Sequence, residues 1–129
     1  MKRIASKTEK RLIVEGRVNG KPACFLLDTG ASVGLMDNNQ RKEFDLKVGR
    51  KYAGTLIGAG GAMRNVKHCD TFVEIENKTI PQFLLADISS VVESIDRDTG
   101  MKILGIIGIE QMKWAGIGID ANDMEIIIE

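Results

Sequence analysis

The most constraining feature of the chain is an aspartate at the end of a run that is apolar on both faces, Ala23-Cys24-Phe25-Leu26-Leu27-Asp28. In an extended chain, alternate side chains point to opposite sides. Ala23, Phe25 and Leu27 therefore share one face, and Cys24 and Leu26 the other. A strand apolar on both faces belongs in the interior. A carboxylate at its end is costly unless donors or charges stabilise it. The next residues suit that need. Gly30 lets its backbone amide approach closely, Ala31 is small, and Thr29 and Ser32 bring hydroxyl donors, Ser32 to the carboxylate and Thr29 to a partner of the turn. Upstream, Asn19-Gly20 separates residues 12–18 from 21–27 and favours the left-handed backbone of a two-residue hairpin turn.

Short apolar runs broken by glycine continue along the chain, and 14 glycines against 2 prolines suit many short strands better than long helices. With 129 residues, one domain with one sizeable core is expected, mainly β. A polar segment, 1–10, precedes it and the domain proper runs over 11–129. Residues 33–36 continue in extended form. Asp37-Asn38-Asn39 and 40–44 make a turn or short helical stretch. Residues 51–66 form a second hairpin whose tip, Gly58-Ala59-Gly60-Gly61, carries little side chain and much backbone freedom. Residues 68–75 and 79–85 form a third about Glu76-Asn77-Lys78, with Pro81 marking a sheet edge. The stretch 87–102 reads as an excursion, a short helix capped by Asp87 or Ser89 and then a polar turn. A run through Ile106, Ile107 and Gly108 follows, then a helix over 109–115 and closing strands at 116–119 and 124–128.

Charge excludes some functions. The 18 basic and 18 acidic residues cancel and are scattered, so neither nucleic acid nor an anionic membrane is an expected partner. No run approaches the roughly 18 apolar residues that cross a bilayer. The basic start lacks the apolar stretch of a signal peptide, so the chain as written is expected to be cytoplasmic, or exported if a leader has been removed. Cys24 and Cys69 lie inside apolar runs without metal-ligand spacing, as buried thiols do. His68, Cys69 and Asp70 alternate across a strand and no second histidine exists, so neither a metal nor another cofactor is expected. Trp114, among apolar neighbours in the last helix, is expected in the core, and Arg64 in solvent.

The tripeptide Asp-Thr-Gly occurs twice. Asp98-Thr99-Gly100 has no apolar strand leading into it and reads as a plain turn. The first copy differs in its company. Phe25-Leu26-Leu27-Asp28-Thr29-Gly30-Ala31-Ser32 resembles the active-site strand of retropepsin-like aspartic peptidases, and Ile106-Ile107-Gly108-Ile109-Glu110-Gln111-Met112 resembles that family's second signature. The glycine-rich tip falls between them, where the family carries its flap. Two departures stand out. Glu110 replaces a commoner aspartate, and the 87–102 excursion lengthens the path to the second signature.

The resemblance implies a single-domain closed β-barrel with a flap hairpin and one short helix in the C-terminal region. It implies a catalytic role for Asp28, supported by Thr29, Gly30, Ala31 and Ser32, with Gly58, Ala59, Gly60 and Gly61 over a peptide or protein substrate. Ile106, Ile107 and Gly108 would pass beside the catalytic loop. Aspartic peptidases use two carboxylates about 3 Å apart that share a proton. A chain this short supplies one, so a homodimer is implied. The alternative is an inactive domain of the same fold, used for peptide binding or dimerisation.

Overall fold

The computed structural model describes residues 1–58 and 61–129. In chain order, the strands up to the first helix are β1 (Lys2–Ala5), β2 (Ile13–Val18), β3 (Lys21–Asp28), β4 (Gly34–Asp37), β5 (Val48–Lys51), β6 (Ile57–Gly58), β7 (Gly61–Ala62), β8 (Lys67–Cys69), β9 (Val73–Ile75), β10 (Lys78–Ile80) and β11 (Phe83–Ala86). Helix α1 (Ser89–Thr99), β12 (Ile103–Gly108), helix α2 (Ile109–Ala115), β13 (Ile117–Asp120) and β14 (Glu125–Ile128) complete the chain. A single 3₁₀ turn, Asn38–Gln40, follows β4. Neither helix is long and apolar enough to cross a membrane.

The Asn19-Gly20 hairpin forms as the sequence predicts. Asn19 and Gly20 have φ of 51° and 81°, and β2 pairs antiparallel with β3 from Val18↔Lys21 to Ile13↔Leu26. Positive φ at both turn residues matches the right-handed twist of the flanking strands. Strand β3 lies deep within a nine-stranded sheet of order β10-β9-β2-β3-β12-β4-β11-β8-β5. Its two apolar faces meet two different cores. Ala23, Phe25 and Leu27 join a cluster with Phe83, Leu104, Ile107, Met112, Ile117 and Ile126. Cys24 and Leu26 pack against a second cluster containing Ile13, Leu84, Val92, Ile95 and Ile103.

The third hairpin also forms but breaks in the middle. β9 and β10 pair around Glu76-Asn77, and β8 pairs with β11, in registers that differ by one residue. Pro81 and Gln82 occupy the break, where proline has no amide to give to a ladder and Gln82 takes φ of 69°. β11 then turns its other edge to β4, in parallel.

Three expectations need correction. First, the described strands do not close into a barrel. The nine-stranded sheet ends on β10 at one side and β5 at the other. Among the described residues β5 pairs with β8 alone, through an irregular register. Second, the helix expected in the excursion is longer than a short one: α1 runs eleven residues and takes in Asp98-Thr99-Gly100, read as a plain turn, as its C-terminal end, with Gly100 at φ 74° as the left-handed cap. Ile88, Val92 and Ile95 form its buried stripe, whereas Asp96 and Arg97 face solvent and give the segment its polar look. Third, Trp114 is 71% exposed: Met112 and Ala115 are the buried face of α2, and Trp114 lies off it.

The polar opening also contributes structure. β1 pairs with β14, and β14 with β13, in a separate three-stranded sheet. Its Ile126, Ile128 and Ile117 side chains join the first core, with Ile4 packed against them. On its opposite face Arg3 donates to Asp120 at 3.0 Å and to Glu125 at 3.2 Å. Both cysteines are free thiols; Cys69 is buried and Cys24 half-buried. Burial pushes both thiols up.

Two predictions follow from this packing. Phe25 is fully buried with its ring 6.0 Å from that of Phe83, so Phe25→Ala should cost about 3–5 kcal/mol in denaturant unfolding. A loss below about 1 kcal/mol would mean that the site is not core. At the start of α1, Asp87 accepts from the Ser89 amide at 3.0 Å and from Asn39 Nδ2 at 2.7 Å. The Ser89 bonds first, then Asn39, hold its carboxyl below the usual range. Such a group stabilises the fold above its unfolded pKa, and that contribution fades as pH falls through the folded value. Asp87→Ala should therefore lower Tm at pH 7, with the gap to wild type narrowing as pH drops below about 4.

Candidate active site

Asp28 is the last residue of β3, half-buried, at the mouth of the strand the sequence singled out. Gly30 donates its amide to Asp28 Oδ1 at 2.9 Å, and Ala31 donates to the Asp28 carbonyl at 3.1 Å. The chain thus turns back over its own carboxylate, as an Asx turn does. A side chain on Gly30 would begin 3.2 Å from that same carboxylate oxygen. No ion pair among the described residues involves Asp28. Thr29 and Ser32 are exposed, and among the described residues neither hydroxyl makes a hydrogen bond.

The second signature comes to this loop through the sheet. β12 runs parallel to β3 with Ile106↔Leu26, Ile107↔Leu27 and Gly108↔Asp28 in register. Gly108 therefore sits directly beside the aspartate. The loop arches over it: a Cβ on Gly108 would lie 2.8 Å from the Ala31 carbonyl oxygen and 2.9 Å from that of Val33. Both are backbone atoms that cannot swing aside. The Ile109 amide, at the start of α2, donates to the same Ala31 carbonyl at 2.9 Å.

Sequence reading missed one residue of this assembly. Gln111, quoted only as part of the signature, is buried, with Oε1 accepting from the Gly108 amide at 3.0 Å and Nε2 donating to the Pro81 carbonyl at 2.8 Å. A glutamine three positions after a helix N-cap is the signal that could have found it.

The glycine-rich tip is described in part. Ile57 pairs with Ala62 and Gly58 with Gly61 as a two-stranded hairpin, while Ala59 and Gly60 lie outside the described residues. Leu56 and Met63, at its base, pack against the second core, the cluster that α1 joins. The second tripeptide is elsewhere: Asp98 pairs with Arg11 at 2.9 Å. His68 packs edge-on against Tyr52, while Cys69 points into the core, so the adjacent pair does diverge across the strand. Asp120, Asp123 and Glu125 bring ligand-type oxygens within 4.8 Å of one another, but Arg3 already supplies positive charge to two of them. The Asp123 amide first and then Arg3 hold the Asp120 carboxyl low, as in a surface ion pair.

An aspartate thus ends a central strand, a glycine turn donates to it, and a parallel strand brings a second glycine beside it. The family model described as aspartyl protease matches residues 14–110, and the chain belongs to that family, with a retropepsin-like fold. No curated protein matches it in sequence. Among solved structures it is similar to the EIAV protease complexed with the inhibitor HBY-793, with TM-score 0.64, 23% identity, and 91% of this chain and 99% of that one covered. It is also similar to the retroviral protease-like domain of Ddi1 from Leishmania major, with TM-score 0.60, 18% identity, and 92% and 88% covered. A retropepsin-like aspartic protease from Rickettsia conorii gives TM-score 0.59 and 19% identity, with 98% and 88% covered.

The contact between Gly108 and the loop carries a prediction. Gly108→Ala forces the Ala31 and Val33 carbonyls to move and should destabilise the fold by about 1–3 kcal/mol, with displaced amide resonances at Gly30 and Ala31. Unchanged resonances would show that Gly108 does not support the loop.

Proposed function

We propose that the chain is an aspartic endopeptidase whose catalytic carboxylate is Asp28, and that Asp28 of a second copy completes the site across a two-fold axis. The observation that carries this reading is the position of Asp28. It is held by the Gly30 amide at the end of an interior strand, in register with Gly108, and no ion pair among the described residues neutralises it. Such a carboxylate is poised to share a proton with another. The family's aspartic-protease fold supports peptidase function in general.

In the paired site the ionised Asp28 draws a proton from a water held between the two carboxylates. The protonated Asp28 donates to the scissile carbonyl oxygen as the water oxygen bonds to the carbonyl carbon. The resulting diol collapses as the ionised Asp28 takes a hydroxyl proton, the C–N bond breaks and the protonated Asp28 gives its proton to the leaving nitrogen. Neither a covalent intermediate nor a cofactor enters this chemistry. Gly30 and Ala31 keep the loop tight, and the exposed Thr29 and Ser32 hydroxyls are free to meet the second copy or the substrate. The Gly58–Gly61 tip closes over an extended peptide, and its glycines supply backbone hydrogen bonds. The segment 11–129 is the peptidase domain. The intact run from Asp28 to Ser32 gives no support to the inactive alternative.

Cleavage of a peptide library by wild type and two variants tests the reading. Asp28→Asn should reduce turnover at least a thousandfold, on the order of the loss from removing an essential catalytic group, and Asp98→Asn should leave it unchanged. Undiminished cleavage by Asp28→Asn would remove that residue from the mechanism.

A further inference from the structure

Gln111 joins three pieces of backbone that the sequence keeps apart. Its Oε1 accepts from Gly108 at the end of β12. Its Nε2 donates to the carbonyls of Pro81 and, at 3.4 Å, Gln82, in the break between β10 and β11. Its amide group also lies over the start of β4: a Cβ on Gly34 would fall 2.0 Å from Oε1 and 2.5 Å from Nε2. Gly34 leaves the space that Gln111 fills. The side chain is buried, so water cannot replace either hydrogen bond without a cavity.

The piece it holds is the one on which the Asp28 loop rests. Gly108 is in register with Asp28, the Ala31 and Val33 carbonyls press on it, and the neighbouring Ile109 amide binds Ala31. Residues 28–33 run from Asp28 directly into Gly34, whose position Gln111 also limits. Both ends of the loop therefore depend on one amide side chain. Gln82, which keeps a left-handed backbone at φ 69°, presents its carbonyl to the same group.

We infer that Gln111 is a positioning residue for Asp28: through Gly108 and Gly34 it fixes the loop that carries the carboxylate, and it does not touch the substrate. This rests on the peptidase reading for its kinetic consequences but not for its structural ones. The competing role is that of a simple helix cap, which would stabilise α2 and leave turnover alone.

The two hydrogen-bonding arms can be separated chemically. Gln111→Met removes both at similar volume. Gln111→Glu keeps the acceptor toward Gly108 in either protonation state but donates to Pro81 only when protonated. For folded protein, confirmed by thermal melting, we expect kcat to fall about tenfold to a hundredfold in Gln111→Met, with KM within about twofold. In Gln111→Glu the ratio of variant to wild-type kcat should rise as pH falls through the carboxyl's titration, and it serves alone if the Met variant does not fold. A pH-independent ratio near one would overturn the inference. Amide resonances of Gly30, Ala31 and Ile109, compared between wild type and the variants, decide the matter even if wild type cleaves no peptide. Shifts at all three are expected, whereas a change confined to the Gly108 amide would reduce Gln111 to a cap.

Discussion

The parallel pairing of β12 with β3 is the constraint on which the rest of the structure depends. It places Gly108 beside Asp28 with the two apolar strands buried together. Every residue of β12 is buried, and β3 feeds side chains into both cores, so this pair cannot slip by one position without turning Phe25 and Leu27 away from their cluster. Register is therefore set by hydrophobic burial, and the position of the carboxylate follows from it. The cost of leaving an acid at that place is met locally, by the Gly30 amide, rather than by a counter-charge.

Around that pair the molecule divides its labour between two cores. The first, beneath Phe25, Leu27 and Ile107, is covered by α2 and the sheet of β1, β14 and β13. The second, on the side of Leu26 and Ile103, is covered by α1 and takes in Leu56 and Met63 from the base of the glycine-rich hairpin. The excursion that lengthens the chain before the second signature is thus a packing element shared with that hairpin. Gln111 stands where the first core's helix meets the loop, so a change in α2 is transmitted to Asp28 by two short hydrogen bonds and a filled space.

Much of this was legible in the residues. Asn19-Gly20 specified its turn because few dipeptides tolerate two positive φ angles, and the double apolar face of β3 specified an interior strand. The apolar strand leading into the first Asp-Thr-Gly, which the second lacks, marked Asp28 as the end of an interior strand. Other features were hidden for physical reasons. The charges of Asp96, Arg97 and Asp98 masked how far the helix that buries Ile88, Val92 and Ile95 continues. Trp114 looked like core because of its neighbours in sequence, yet a helix buries only one stripe and Trp114 lies off it. Barrel closure depends on strand ends far apart in sequence, to which local pattern gives no access. Gln111 offered a helix N-terminus signal, but its reach across the fold was hidden because its partners there, the carbonyls of Pro81 and Gln82, are backbone atoms that no residue identity announces.

In the proposed enzyme one active site is built from two chains, each giving one Asp28, and subunit mixing probes that pairing. Wild-type chain at fixed concentration, equilibrated with increasing Asp28→Asn chain, should lose peptidase activity progressively as mixed dimers with a single ionisable Asp28 replace wild-type dimers. Activity that stays constant as the variant is added in large excess would show that a single chain carries the whole site.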